Sequence, residues 1–93
     1  MNKKIVEAYG LNAQLDICCE ECGELIHALI KAKRAAGVGY HTPITAEKAR
    51  ADLLKSLAHA RNAMDSVAYL LSIKETDIQE EIMRSDILAL NRL

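Results

Sequence analysis

Apolar residues recur three or four positions apart along most of the chain, which is the spacing of one face of an α-helix. The first series occupies positions 15, 18, 19, 22, 25, 26, 29 and 30. A second occupies positions 53, 54, 57, 60, 64, 67, 68 and 71, and a third occupies positions 78, 82, 83, 87, 88 and 90. No segment alternates apolar and polar residues as a half-buried strand does. The pattern predicts an all-α protein with these stripes as its core.

Helix-breaking residues divide the first half of the chain. A short helix over residues 3–9 is predicted to end at Gly10, because glycine readily takes the left-handed turn that follows a helix. The next helix is long and reaches about residue 36, where Gly37 closes it.

The second half begins with a loop over residues 37–44, which holds two glycines and the only proline. Thr45 is the predicted N-cap of the second long helix. Thr76 followed by Gln79 forms a predicted capping box for the last, shorter helix. The sequence therefore predicts one domain over residues 1–93, a bundle of two long and two short helices.

Size and composition favour a folded domain that associates with itself. The chain has 93 residues, 51% hydrophobic and 27% charged, which is typical of a globular protein. A chain this small buries only somewhat more than about 60% of its unfolded surface. We therefore expect a homodimer or a homotetramer, in which close helix contacts cover leftover apolar stripes.

Charge and aromatic content argue against nucleic acid and membrane partners. The net charge of −1 gives no electrostatic attraction to phosphate backbones or anionic lipid. Three tyrosines, with no Phe or Trp, leave almost no platform on which bases could stack. No apolar run approaches the roughly 18–20 residues of a membrane span, and the N-terminus leads into a helix rather than a signal segment. The predicted location is the cytoplasm.

Three cysteines, Cys18, Cys19 and Cys22, lie close together on the first long helix. An odd number on one helix does not describe a disulfide framework, and no second Cys pair follows to complete a zinc site. They are predicted to be reduced thiols that pack in the core, since free Cys behaves as a small buried hydrophobe.

Four acidic residues, Asp16, Glu20, Glu21 and Glu24, form a strip on the same helix with no basic residue between them. Like charges at i,i+3 or i,i+4 each cost about 0.2–0.5 kcal/mol in an isolated helix. Such a strip solubilises a helix poorly but can hold a divalent cation. Hard cations such as Mg²⁺ take carboxylate oxygens and usually bring phosphate with them.

The acidic strip lies within a longer motif. Its residues are Tyr9-Gly10, Gln14, Glu20-Glu21-Cys22-Gly23-Glu24-Leu25-Ile26, Ala28, Lys31 and Arg34. With this motif the chain resembles the MazG-like, all-α nucleoside triphosphate pyrophosphohydrolase family, particularly its short single-domain members in bacteria and phages. The similarity extends over nearly the full length and implies a four-helix MazG-like bundle completed by oligomerisation.

The resemblance implies a Mg²⁺-dependent hydrolase that splits a nucleoside triphosphate into monophosphate and pyrophosphate. Glu21 and Glu24 would be metal ligands, and Glu20 a further ligand or the group that orients the attacking water. Metal ions suit this chemistry because they neutralise developing negative charge and activate water. Lys31 and Arg34 are candidates for binding phosphate oxygens, although basic residues near a helix C-terminus are equally explained by the helix dipole.

The second motif of the family, Glu-x-x-Asp, is replaced in this chain. The apolar pattern of the third predicted helix places Ser56 and His59 at its two acidic positions. His59 is then either a nitrogen ligand, which favours Mn²⁺ or Zn²⁺, or a polar residue that fills the vacated position. Two functions stay open: an active pyrophosphohydrolase, and an inactive relative that binds a nucleotide or serves as a helical interaction module.

Overall fold

The computed structural model describes all residues, 1–93, and contains three α-helices and no strand. Helix α1 spans Lys3–Ala35, α2 spans Ala46–Leu70 and α3 spans Glu75–Asn91. The all-α prediction is confirmed. The two helices predicted before residue 37 are joined across a kink at Gly10 into the single element α1, so the structure has three helices.

Helix α1 is interrupted at Gly10, where the predicted helix end falls. The backbone there has φ +81° and ψ 172°, a region that only glycine occupies readily. A Cβ added at this position would meet no atom within 4 Å, so the requirement for glycine comes from the backbone conformation alone. Gly10 therefore interrupts the helical backbone of α1 at the residue where the first predicted helix ends.

The helix ends follow local capping chemistry. Thr45 Oγ1 accepts a hydrogen bond from the Lys48 N–H at 3.2 Å, which confirms the predicted N-cap of α2. After α1, Gly37 has φ +88°, and the Val38 N–H donates to the Lys33 carbonyl at 3.1 Å in a Schellman arrangement. These contacts fix the two ends of the loop between α1 and α2.

The predicted capping box of the last helix is wrong. Helix α3 begins at Glu75, and Lys74 at the N-cap position makes no side-chain hydrogen bond to the helix. Gln79 donates instead to the side chain of Glu75 at 2.8 Å, so Thr76 lies inside the first turn. An i,i+4 side-chain contact has replaced the expected cap.

Helices α1 and α2 pack against each other along a seam of mostly small side chains. The buried residues are Val6, Gln14 and Ala28 from α1 and Ala49, Ala60, Ala63 and Ser66 from α2. Ala60 is completely inaccessible to solvent. Small residues on both helices allow the two backbones to approach closely, and no large side chain is fully buried.

Much of the apolar stripes predicted to form the core is exposed in the single chain, although Ala60 of the second stripe is buried. At least 40% of the surface stays exposed at Leu15, Ile26, Leu29 and Ile30 on α1, at Leu54, Leu57 and Met64 on α2, and at Leu71 just after α2. The prediction is wrong for α1, because the α1 row that faces α2 runs through residues 14, 21 and 28, beside the main apolar stripe. Periodicity located the α1 stripe, but a neighbouring face packs in the seam.

The prediction that the three cysteines pack in the core is also wrong. Cys19 is exposed, and Cys18 and Cys22 are only half-buried, so none of the three is a core residue. Partial burial, together with the hydrogen bond and proximity of Cys22, raises the pKa of the Cys18 thiol above its ordinary 9.0. Cys18 therefore lies at the edge of the seam.

The chain has an open shape, with a Cα radius of gyration of 16.4 Å. A compact domain of this length has a radius of gyration of about 12 Å. Helix α3 accounts for the openness, because it packs against neither α1 nor α2 and buries no residue. None of the three helices combines the length and apolarity needed to cross a bilayer.

Candidate functional site

One acidic residue and one histidine meet across the seam. Glu21 lies on the α1 row that faces α2, and His59 precedes the buried Ala60 on α2. The His59 Nδ1 atom is 3.4 Å from Glu21 Oε2, and the two side chains are 53% and 28% exposed. Both residues line two clefts, one on each side of their contact.

The first cleft, which we call the polar cleft, is rich in charged groups. Its lining residues are Glu21, Glu24, His27, Ala28, Lys31, Asp52, Lys55, Ser56 and His59. Carboxylates and lysine ammonium groups therefore border the same space. One carboxylate is already paired, because Lys48 Nζ lies 2.7 Å from Asp52 Oδ1. The carboxylates of Glu21 and Glu24 have no lysine or arginine partner in the chain.

Four of the six candidate residues from the sequence share the polar cleft. Glu21, Glu24 and Lys31 line it from α1, and His59 lines it from α2. Ser56 lines it as well. The arrangement brings the acidic strip of α1 together with Ser56 and His59 of α2.

The other two candidates lie outside the polar cleft. Glu20 is exposed on α1 and lines neither cleft. The Arg34 guanidinium carbon lies 5.6 Å from the ring centroid of Tyr40, the geometry of a cation–π contact. Arg34 thus packs on Tyr40 in the loop after α1. Of the two candidate phosphate ligands, only Lys31 lines the polar cleft.

Sequence reasoning missed three residues of the polar cleft, namely His27, Asp52 and Lys55. The Glu-x-x-Asp spacing does not point to Asp52, because Ala49 stands three residues before it. The available signal was the spacing of 52, 55, 56 and 59, which places polar residues on one face of α2. That face could be assigned to a site only once its position opposite Glu21 was known.

The second cleft, which we call the amide cleft, has a volume of about 280 Å³. Its lining residues are Asn2, Ile5, Val6, Tyr9, Gln14, Ile17, Glu21, His59, Asn62, Ala63 and Ser66. Apart from the shared Glu21 and His59, none of these residues is charged. The amide cleft is therefore mainly uncharged, and it combines apolar side chains with side-chain amides and hydroxyl groups.

Gln14 is the distinctive residue of the amide cleft. Only 5% of its surface is exposed, yet its side chain makes no hydrogen bond within the chain. No buried polar side-chain atom is both sealed from solvent and unpaired, so the Gln14 amide opens into the cleft. Buried polar groups almost always have a partner, and a side-chain amide both donates and accepts. Gln14 is thus placed to bind a ligand with a mixed hydrogen-bonding edge.

The N-terminal part of α1 forms one wall of the amide cleft and is fastened to α2. The Tyr69 hydroxyl donates a hydrogen bond to Glu7 Oε1 at 2.5 Å, and Lys3 Nζ lies 5.3 Å from the centre of the Tyr69 ring. The hydrogen bond to the Glu7 carboxylate raises the pKa of Tyr69 above its ordinary 10.0. These contacts hold the segment before the Gly10 kink against the end of α2.

The donor groups of the polar cleft limit which metal ion it could bind. No group of three or more His, Cys, Asp or Glu side chains is arranged to hold a metal ion. The polar cleft does offer two carboxylates one turn apart, Glu21 and Glu24. Mg²⁺ in phosphate-handling sites is usually bound by one or two carboxylates, with substrate phosphates and water completing its shell. The donors fit a Mg²⁺ ion that arrives with phosphate, rather than a site made of protein ligands alone.

No family model, no curated protein and no solved structure matches the chain. The two clefts and the Glu21–His59 contact between them carry the functional interpretation.

Proposed function

We propose that this chain binds a nucleoside triphosphate across the Glu21–His59 contact and hydrolyses it, with a divalent metal ion, to a monophosphate and pyrophosphate. The observation that carries the proposal is the meeting of two chemically different clefts at one residue pair. A nucleotide has the same division, with a charged phosphate chain at one end and an uncharged ring at the other. The activity is the one that the MazG-like resemblance implies.

The polar cleft is the proposed phosphate side. Lys31 and Lys55 border it and would donate hydrogen bonds to phosphate oxygens. Glu21 and Glu24 would hold Mg²⁺ together with those phosphates. When bound, the ion would neutralise phosphate charge and lower the pKa of a bound water.

His59 has two proposed roles at this position. Its contact with Glu21 can fix the orientation of that carboxylate, as partners behind metal ligands commonly do. Alternatively it is itself a nitrogen ligand, which would shift the preference from Mg²⁺ toward Mn²⁺. A His59→Gln variant distinguishes the roles: loss of Mn²⁺ preference supports ligation, and an unchanged metal preference with reduced turnover supports orientation of Glu21.

The amide cleft is the proposed base side. The edges of nucleobases combine hydrogen-bond donors and acceptors, and side-chain amides match such edges with two contacts. Gln14 and Asn62 supply two amides there, and Ile5, Val6 and Ala63 supply apolar surface for the ring. This side of the site favours a nucleotide over inorganic phosphate or pyrophosphate as the ligand.

A second candidate function is nucleotide binding without cleavage. It is favoured by Ser56 and His59, which face the polar cleft at the two positions where the resemblance implies carboxylates. A polar cleft with fewer carboxylates carries less charge for holding metal ions. In this alternative the same two clefts bind the triphosphate, and the bound nucleotide is released unchanged.

Pyrophosphate release from a panel of canonical and modified triphosphates, with Mg²⁺ and with Mn²⁺, tests the proposal. Replacing Glu24 with Gln is expected to reduce turnover by about 100-fold or more, because a catalytic metal supplies several kcal/mol of charge stabilisation. Asp16→Asn is the matched control, since Asp16 is an exposed acid on α1 that lines neither cleft. Glu20→Gln decides whether the role implied for Glu20 by the resemblance applies.

The outcomes separate the two functions. Turnover that falls with Glu24→Gln and survives Asp16→Asn supports the hydrolase. Binding of a triphosphate in calorimetry, with no pyrophosphate released under any metal, assigns the non-catalytic function. A chain that neither binds nor cleaves any triphosphate contradicts both.

We also propose that a second copy completes the helical bundle, as a homodimer or within a homotetramer. The chain exposes 7468 Å², about 2,000 Å² more than the roughly 5,400 Å² expected for a compact monomer of this mass. Large apolar side chains of all three helices contribute to this surface. Their burial against another copy would supply the core that the single chain lacks.

A further inference from the structure

Helix α3 has no packing partner within its own chain. It contacts neither α1 nor α2 along its length, and none of its residues is buried. Its exposed large apolar residues are Ile82, Met83, Ile87, Leu88 and Leu90. A helix of 17 residues in water is only marginally stable by itself, so most of its stability has to come from packing.

An apolar groove lies between the outer face of α2 and the beginning of α3. Its apolar lining residues are Leu25, Leu54, Leu57, Ala58, Met64, Ile78 and Ile82. The groove has a volume of about 940 Å³, which is larger than either cleft of the candidate site. Leu54 is 69% exposed within it, so the groove is a substantial unfilled apolar surface.

Two separate apolar stripes run along α3. Ile78 and Ile82 face the groove of their own chain. Met83, Ile87 and Leu90 follow at i, i+4 and i+7, which places them on a different face of the helix. This second stripe, which we call the free stripe, lines none of the clefts and grooves described above. The chain thus carries both an unfilled groove and an unpaired helical stripe.

The charges of the helices favour contact between α3 and α2 over contact between two copies of α3. Helix α3 contains five acidic residues and one arginine, whereas α2 contains four basic and three acidic residues. Two copies of α3 packed only on each other would bring like charges together. The groove is bordered by Arg61 and by two acidic residues, Asp65 and Glu75. Arg61 makes no ion pair in its own chain, so it can receive an acidic side chain from another copy.

The exposed area matches what such an association requires. A standard stable interface buries about 800 Å² on each partner, and the excess surface of this chain is about 2,000 Å². One groove and one free stripe on every copy are complementary to each other. A two-fold axis would use both on each chain, because residue i contacts j whenever j contacts i.

We propose that the α3 helices are exchanged between two copies, with the free stripe of each packing into the apolar groove of the other. In this dimer Met83, Ile87 and Leu90 of one copy contact Leu54, Leu57 and Met64 of its partner. The inference rests on the self-association proposed above and is independent of the nucleotide chemistry. A failed hydrolysis assay therefore leaves it standing.

Sedimentation equilibrium of full-length variants provides the first test. Leu57→Asp places a charge in the groove, and Met83→Asp places one in the free stripe. Each is expected to raise the dimer dissociation constant by about 100-fold or more, as for residues at the centre of an interface. Leu88→Asp is the matched control, because Leu88 is an equally exposed apolar residue on the opposite side of α3. It should leave the dissociation constant within about threefold of the wild-type value.

Mixing the two weakened variants tests the pairing itself. The Leu57→Asp chain keeps an intact free stripe, and the Met83→Asp chain keeps an intact groove. Their heterodimer has one undamaged contact, whereas each homodimer has none. We therefore expect the equimolar mixture to associate at least about 10-fold more tightly than either variant alone.

The alternatives give different results. If grooves pack on grooves and stripes on stripes, mixing brings no gain in affinity, and the exchange is refuted while self-association survives. A wild-type chain that stays monomeric at every concentration refutes both. Circular dichroism of each variant confirms helicity, and Leu54→Asp with Ile87→Asp provides a second pair if either first variant is unfolded.

Discussion

The α1–α2 seam and the outer faces of the helices use apolar residues in opposite ways. In the seam, small side chains such as Ala28, Ala60 and Ala63 are buried, with at most 5% of their surface exposed. On the outer faces, larger side chains such as Leu57 and Met83 keep about half or more of their surface in water. Side-chain hydrophobicity alone therefore does not determine which residues this chain buries.

The difference shows how the chain divides its contacts between folding and association. Small residues allow α1 and α2 to approach closely. This approach brings Glu21 and His59 together between the polar cleft and the amide cleft. The larger residues have no intramolecular partner, and the proposed second copy gives them one. The seam accounts for the candidate site, and the outer faces account for the assembly.

Overfilling the seam is expected to have the largest effect. Ala60→Leu adds three carbons at a position with no accessible surface, and we expect it to lower the free energy of unfolding by about 3 kcal/mol. Ala51→Leu is the matched control, because Ala51 is exposed on the same helix. Urea unfolding at one protein concentration measures both. Equal stability of the two variants would mean that the seam is not closely packed.

Changing Gly10 tests whether the kink in α1 is required for stability. Gly10→Ala forces a Cβ into a backbone conformation that suits glycine only, with an expected loss of about 2 kcal/mol in the free energy of unfolding. Gly23→Ala, inside a regular helical turn with open space around the new methyl group, is expected to gain about 0.5–1 kcal/mol. Opposite signs confirm the kink, whereas a neutral Gly10→Ala would indicate an unbroken helix.

The Tyr69–Glu7 hydrogen bond makes part of the seam sensitive to alkaline pH. The pKa of Tyr69 is higher in the folded chain than in the unfolded chain, where it is near 10. The hydrogen bond therefore contributes its full stabilisation below pH 10, and this stabilisation is lost as the pH rises through the pKa of Tyr69 in the folded chain. Wild type should therefore be more stable than Tyr69→Phe at neutral pH, and the difference should disappear in strong alkali. Tyr40→Phe is the control, since the Tyr40 hydroxyl makes no hydrogen bond. Denaturant midpoints across the alkaline range measure the difference, which would stay constant with pH if the contact were absent.

Alkylation of the cysteines compares the seam edge with the outer face of α1 without any mutation, and it has the smallest expected effect. Cys18 lies at the seam edge, where partial burial raises its thiol pKa, and Cys19 is exposed on the outer face. A raised pKa leaves less thiolate at a given pH, and the thiolate is the reactive form. Mass spectrometry after limited iodoacetamide treatment should find Cys19 modified several-fold faster than Cys18. The reverse order would place Cys18, rather than Cys19, on the outer face.

Local signals in the sequence were sufficient for the helices and for several of their ends. The apolar repeat predicted the all-α fold, Gly10 marked the kink and Thr45 marked the start of α2. Each of these features is set by the conformational preference or hydrogen bonding of nearby residues. Such preferences act over a few positions and are readable from one chain.

The core could not be read in the same way. Periodicity places Leu15, Ile26 and Leu29 on one stripe, but it does not say whether another helix or another copy covers that stripe. Periodicity is equally silent about which residues of α2 belong to the site. The spacing of Glu21 and Glu24 on one helix indicates a shared site, whereas Asp52 and Lys55 join it only because α2 packs opposite α1. Contacts between distant segments depend on which faces pack, and that choice followed the small residues.

A crystal structure with Mn²⁺ and a nonhydrolysable triphosphate tests the central claim most directly, namely that the Glu21–His59 contact divides a phosphate site from a base site. We predict anomalous Mn²⁺ density within coordination distance of Glu21 or Glu24, phosphate oxygens beside Lys31 and Lys55, and the base against Gln14 and Asn62. Ligand density at another location, or a base in the polar cleft with phosphates in the amide cleft, would contradict the account.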